Sequence, residues 1–287
     1  MRTVLVVGAT GTVGRELVNQ LVSTTSSHDV AVRALVREPS STVLPASVDV
    51  VRGDLTRPET LEPALDNVDA VFLVWATSPA TAPAVIERIA SHSPRLVLLT
   101  APHQTQHPFF QQPNPMQAML AGIERCVEAT SLAYTFIRPH MFADNCIGWW
   151  GDPIRKREVV RWPLLAAPTA PIDPRDIAAV AAKILADASG THARESYVVT
   201  GPASLTQRDQ LQIIADALGR PVPVEELTLD EARRMIPFPP AALEMLLGAW
   251  QAALGQPAYV TTTVAELLGR DARTFREWAD HNAAAFR

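Results

Sequence analysis

Seven residues near the start of the chain, Gly8-Ala9-Thr10-Gly11-Thr12-Val13-Gly14, follow the apolar run Thr3-Val4-Leu5-Val6-Val7 and open a helical pattern from Arg15 to Val22. An apolar strand, a glycine turn and a helix in that order are what a dinucleotide pyrophosphate requires. Gly8 permits the tight turn, Gly11 lets the backbone approach the phosphates, and Gly14 lets the helix pack close to the strand. Amide N–H groups at the helix start then meet the anion. Gly8, Thr10, Gly11, Thr12 and Val13 are therefore candidate cofactor-binding positions.

Strand and helix patterns alternate beyond the turn. Apolar runs predict strands over 30–36, 48–51, 70–74, 95–99 and 134–138, with helical spacing at Leu61, Leu65 and Val68 and helices over 81–91 and 114–130. This alternation predicts an α/β fold, a Rossmann-type doubly wound parallel sheet with helices on both faces. Ligands of such sheets lie at the carboxyl ends of the strands, which directs attention to Trp75 and Ala76, to Thr100, and to Pro139 as further cofactor positions.

The end of the second strand selects the dinucleotide. A carboxylate there would accept hydrogen bonds from the ribose hydroxyls and favour NAD(H), whereas a guanidinium would pair with a 2′-phosphate. Arg37 occupies that place, with Ser40 and Ser41 close behind, so the sequence favours NADP(H). After the third strand, Asp54 and Leu55 are expected near the adenine.

With 287 residues, 47% of them hydrophobic, the chain can bury a sizeable core. A net charge of -5 gives no electrostatic footprint for nucleic acid. Cys126 and Cys146 make no disulfide framework and lack metal-ligand spacing, so no metal is expected and a reducing compartment is the simpler setting. The early first strand and the lack of a long apolar stretch predict neither a signal peptide nor a membrane span, and hence a cytoplasmic protein, monomeric or homodimeric.

GATGTVG, Leu35-Val36-Arg37, Gly53-Asp54-Leu55, Tyr134-Thr135-Phe136-Ile137-Arg138-Pro139 and Asp176-Ile177-Ala178 resemble the atypical short-chain dehydrogenase/reductases of the NmrA-like and NAD(P)H:quinone-oxidoreductase-like group. Thr200-Gly201-Pro202 and the stretch from Thr261 to Arg270 are similar to that group too. The resemblance implies a small, discontinuous substrate lobe beside the dinucleotide-binding core. On that basis 1–150, with 171–200 returning to it, is expected to form the NADP-binding core, and 151–170 with 201–287 the substrate-binding lobe. Members of the group divide between reductases and cofactor-sensing regulators, and fold alone does not choose.

At the usual catalytic pair the sequence departs from the wider superfamily. Counting back from Glu124, which matches the family's glutamate on this helix, the Lys position falls on Leu120 and the Tyr position on Met116. Met116, Met119, Leu120, Ile123 and Val127 share one face at helical spacing, as a core stripe or as the lining of a substrate pocket. Carbonyl reduction still needs a proton or a hydrogen bond at the developing oxyanion. Thr100, at the end of the fifth strand, His103 in the loop beyond, and His140, directly after Pro139, are the candidate side chains. Bound water and a hydroxyl on the substrate itself are the other sources, and the last ranks first.

Phe109, Trp149, Trp150 and Trp162, with Met116, Leu120 and His140, would make a wide apolar slot for a flat ligand. The sequence thus predicts an NADPH-dependent ketoreductase acting on a polycyclic aromatic ketone or quinone, with substrate-assisted protonation. A quinone oxidoreductase and a non-catalytic NADP(H)-sensing regulator are the alternatives.

Overall fold

A computed structural model of the chain describes residues 2–24, 30–92 and 94–287. In chain order the first part comprises β1 (Arg2–Val7), α1 (Thr12–Thr24), β2 (Val30–Val36), β3 (Asp49–Arg52), α2 (Glu62–Leu65), β4 (Ala70–Val74), α3 (Ala82–His92), β5 (Arg95–Leu99), α4 (Pro115–Glu128) and β6 (Tyr134–Pro139). The strands form a seven-stranded sheet in the order β3-β2-β1-β4-β5-β6-β9, where β9 is Glu195–Val199. Strands β1 to β6 pair in parallel, with registers such as Val4↔Val32, Val6↔Phe72 and Leu98↔Phe136. The doubly wound parallel sheet expected from the alternation is therefore present.

The chain divides into two compact units. The first runs through Ala101 and adds Met116–Pro139 and Pro174–Val198; the second takes Pro102–Pro115, His140–Asp173 and Val199–Arg287. The expected division thus differs at its seams, since 102–115, 140–150, 171–173 and 199–200 group with the second unit. Packing explains this: Phe109 and Trp150 belong to an apolar core shared with Leu247 and Trp278.

In the first unit the core lies on the sheet. Val71, Leu73, Leu96, Leu98 and Phe136 are buried, and α3 and α4 cover them with Val85, Ile86, Ile89, Ile123 and Val127. Each such side chain contributes roughly 1.5–3 kcal/mol by leaving water. Helix α6 (Pro174–Ala186) packs beside α1, which it meets through the hydrogen bond from the Gln20 side-chain amide to the Arg175 carbonyl at 3.0 Å.

The remaining elements belong to the second unit: α5 (Asn145–Lys156), β7 (Val160–Pro163), β8 (Pro168–Thr169), β10 (Leu205–Thr206), α7 (Gln207–Leu218), β11 (Val224–Leu227), α8 (Leu229–Met235), α9 (Pro240–Ala253), α10 (Thr263–Leu268) and α11 (Phe275–His281). Two small sheets, β10-β8 and β11-β7, stiffen the unit. Helices α7, α8 and α11 start on reciprocal caps, in which the hydroxyls of Thr206, Thr228 and Thr274 accept from the backbone N–H groups of Asp209, Glu231 and Glu277. Among the described residues no helix is long and apolar enough to cross a membrane.

Candidate functional site

The order of strands reverses between β1 and β4, and the crevice outside their carboxyl ends is where a parallel sheet receives a ligand. A groove of about 520 Å³ opens there in the first unit. Of the expected cofactor positions, Gly8, Thr10, Gly11, Arg37, Asp54, Leu55 and Ala76 line it. Gly8 has φ +91°, and a Cβ on it would lie 2.9 Å from Cβ of Val74. At Gly14 a Cβ would come within 2.1 Å of the Gly8 carbonyl oxygen, so only glycine lets α1 seat against the turn. The Gly11 N–H donates to the Gly8 carbonyl at 3.0 Å and closes the loop. Helix α1 then opens at the exposed Thr12, where first-turn N–H groups lack an intrahelical acceptor. This cradle fits a pyrophosphate.

Other expected positions hold the groove's shape instead of lining it. Val13 is buried on the inner side of α1, and Trp75 is buried with its indole N–H donating to the Thr77 carbonyl at 2.9 Å. Thr100 and Pro139 do not line this groove; both are buried.

Arg37 is exposed on the groove wall at the end of β2. Asp54 accepts from the Thr56 N–H at 2.9 Å, while its own N–H donates to the Thr60 hydroxyl at 2.9 Å. That Thr56 bond, with help from Arg37 and Arg57, holds the Asp54 carboxyl below the usual range, so it stays ionised beside the groove. The sequence reading missed Glu38 and Thr77, which also line the groove. Their positions directly after β2 and β4 were the available signal. Glu38 is engaged by the Ser40 hydroxyl, which donates to it at 2.9 Å; the Ser41 side chain lies outside the described residues.

The helix that carries the superfamily's acid and base in other proteins is fixed here by a buried ion pair. Arg138 on β6 donates to Glu124 on α4 through Nε at 3.0 Å and Nη2 at 2.6 Å. Two parallel bonds between a 2%-exposed carboxylate and a 5%-exposed guanidinium set the rotation of α4 about its axis. Leu120, Ile123 and Val127 then enter the core, whereas Met116, in the first turn, stands 60% exposed. The expected single stripe is thus shorter than its spacing implied: Met116 projects beyond the sheet's cover.

Thr100 follows β5, its N–H donating to the Ile137 carbonyl at 2.9 Å. Its Oγ1 is buried without a hydrogen-bond partner. His103 is half-buried in the following loop, within the second unit. His140, the third candidate, is buried in the second unit. Burial, and secondarily the neighbouring His107, push its pKa down to about 3, so the ring is neutral at physiological pH.

The aromatic slot is also corrected. Trp150 and Trp162 are buried in the second unit's core, and Trp149 packs against them. Ring centroids of Trp149 and Trp162 are 5.7 Å apart and those of Trp150 and Trp162 5.9 Å, while Trp250 closes the cluster 5.6 Å from Trp162. The Trp162 N–H donates to the Gln207 side chain at 2.6 Å. Phe109 packs against the same core, and its ring also meets Phe110 and His140.

A family model described as NAD(P)H-binding matches residues 8–188, more than half of the chain and the whole of the cradle. The chain belongs to this NAD(P)H-binding family. It is 37% identical over 296 residues to a (4-alkanoyl-5-oxo-2,5-dihydrofuran-3-yl)methyl phosphate reductase of Streptomyces griseus subsp. griseus, with 99% of each chain covered. It is 31% identical over 301 residues to an NAD(P)H azoreductase of Xenophilus azovorans, again with 99% of each covered. In fold it is similar to the NADPH-dependent quinone oxidoreductase QOR2 of Escherichia coli, with a TM-score of 0.78, 20% identity, and 97% and 98% of the two chains covered. The resemblance to the atypical short-chain dehydrogenase/reductases is thereby borne out, and the chain is an NAD(P)H-dependent oxidoreductase.

For this member of the family, the residues that would hold the dinucleotide are the Gly8–Gly14 loop, Arg37, Asp54, Leu55 and Ala76. Chemically, the first unit offers a backbone cradle for anions and, at Thr100, a buried hydroxyl without a hydrogen-bond partner. It offers no Tyr/Lys pair on α4.

Proposed function

We propose that the chain is an NADPH-dependent reductase of conjugated, electron-poor acceptors, carbonyl systems above all, whose reduced forms are delocalised anions. The observation that carries this reading is α4, where Met116 and Leu120 stand at the positions of the usual acid and its lysine. A nicotinamide dinucleotide supplies a hydride when bound. On an isolated ketone that leaves a localised alkoxide, which demands an acid at the oxygen. Neither a thioether nor an isobutyl group donates a proton, and His140 is held neutral.

An acceptor that spreads the new charge over one or two carbonyls removes the demand. A hydrogen bond from Thr100 Oγ1, whose hydroxyl has no protein partner, then stabilises the oxygen without transferring its proton. Quinones, acyl-substituted unsaturated lactones and aromatic ketones with a peri or enolic hydroxyl all meet this condition, and in the last the substrate's own hydroxyl assists. The oxodihydrofuran and azo groups in the relatives' names are conjugated acceptors of the same electronic kind, which supports the reading. Arg37 favours the phosphorylated dinucleotide because a guanidinium pairs two-pronged with a phosphate.

The test follows NADPH absorbance with menadione, an α-acyl butenolide and the unconjugated 2-octanone. The two conjugated acceptors should turn over at least about 100-fold faster than 2-octanone, the range a missing general acid commands. A preference for 2-octanone, or no oxidation with either conjugated acceptor, overturns the proposal. Thr100→Val should lower kcat while leaving the KM for NADPH unchanged.

A further inference from the structure

The groove of the first unit carries more negative charge than positive. Among the described residues that line it, Arg37 is the one cation, whereas Glu38 and Asp54 each bring a carboxylate. The Asp54 carboxyl is held below the usual range first by the Thr56 hydrogen bonds and then by Arg37, so the guanidinium already serves one anion before a ligand arrives. A phosphate monoester brings a further charge of about -1.5 to -2 at pH 7. Arg37 therefore cannot neutralise such a group by itself.

Glu38 follows Arg37 directly, with extended backbone at φ -135° and ψ 96°, and leads into the turn over Pro39–Ser41. Two hydroxyls hold it beside the groove. Thr42 Oγ1 donates to the Glu38 carbonyl at 2.9 Å, and Ser40 Oγ donates to Oε1 at 2.9 Å. The first bond goes to backbone and would serve any residue, so the turn does not require a glutamate here. The second uses one of roughly four acceptor sites on a carboxylate and leaves its charge intact.

We propose that Glu38 is a specificity-determining residue that opposes Arg37: its carboxylate repels the 2′-phosphate of NADPH and accepts from the ribose hydroxyl of NADH, so that the chain binds both dinucleotides. The proposal rests on the NADPH reading for the role of Arg37 and limits the preference that Arg37 creates. Specificity is a difference between two affinities, and a repulsive element against one ligand changes it as surely as an attractive element for the other. Arg37 favours the phosphorylated form; Glu38, on the adjacent residue, offsets part of that advantage.

Equilibrium titration with NADPH and NADH, followed by the fluorescence of the dinucleotide, tests this on the native protein and on Glu38→Gln. Glutamine keeps the length of the side chain and an oxygen for the Ser40 hydroxyl while removing the charge. NADPH should bind Glu38→Gln about fivefold tighter, because a like charge has gone, and NADH about threefold weaker, because its hydrogen bond is no longer charge-assisted. The ratio of the two dissociation constants should thus widen by about 15-fold at about 0.02 M salt, and by less at about 0.5 M, where exposed charges are screened. Glu38→Ala should widen it in the same direction. A ratio that changes by less than about threefold, equal changes for both dinucleotides, or a widening that salt does not diminish overturns the proposal and leaves Glu38 a turn residue. Every readout is binding without an acceptor, so a failure of turnover with menadione would count against the reductase reading and leave this result standing.

Discussion

The cradle of the first unit and the tryptophan cluster of the second both depend on close approach, but they spend it differently. Around Gly8 and Gly14 side chains are absent, the backbone packs on itself, and about 520 Å³ of groove stays open beside it. Around Trp150, Trp162 and Trp250 large rings interlock and fill the space they enclose. Where the wall is backbone there is room for a ligand; where it is indole the ligand-sized volume is already taken.

That contrast breaks if the aromatics prove interchangeable. Trp150→Ala should cost about 3–5 kcal/mol in urea unfolding, as expected for emptying a fully buried site. Tyr259→Ala, at a residue 37% exposed, should cost less than about 1 kcal/mol. Comparable losses would show that Tyr259 is as much part of the core as Trp150. On the backbone side, Gly14→Ala forces a Cβ to within 2.1 Å of the Gly8 carbonyl, and should cost about 3 kcal/mol together with dinucleotide binding. Gly122→Ala on α4, whose Cβ would meet only Arg125 at 3.6 Å, should be neutral or gain up to about 1 kcal/mol. If the two alanines behave alike in calorimetry, the seating of α1 against the turn is not what makes the cradle.

The same contrast explains what could be read from the sequence. The cradle is local: seven consecutive residues fix a turn, and the strand ends that border it are apolar runs whose carboxyl termini are visible in the chain. Arg37, Asp54 and Ala76 were found because parallel topology places such residues together. The fate of the tryptophans is not local. Trp149 meets Trp250 across about a hundred residues, and composition cannot say whether rings that converge leave space between them. Nor did spacing reveal that Glu124 and Arg138 pair, although both residues had been singled out as family landmarks. His140 was visible as a histidine at a strand end, but its protonation state depends on Phe110, His107 and Tyr259, brought in from elsewhere.

Arg37 sharpens the comparison from the cofactor side, since it adds a charge to a site otherwise built from backbone. Arg37→Ala should raise the KM for NADPH by about 10- to 100-fold and leave that for NADH nearly unchanged, the range expected for charge-assisted bonds to a phosphate. Equal changes for the two would mean that the cradle alone sets cofactor affinity and that Arg37 is a surface residue.

His140 supplies the most specific effect. Its pKa falls from the ordinary 6.5 to about 3 because burial among aromatic rings, and then His107, disfavour the imidazolium. The folded protein therefore binds fewer protons at this site than the unfolded chain throughout that window. Its contribution to stability is complete above pH 6.5 and is lost as the pH falls toward 3, at up to about 1.4 kcal/mol per pH unit. Carboxylates titrate over part of the same range, so the informative quantity is the difference between the native protein and His140→Asn in urea unfolding at pH 7, 6, 5 and 4. That difference should shrink steadily as the pH falls. A constant difference would mean that His140 titrates normally in the folded state and that its cage admits water.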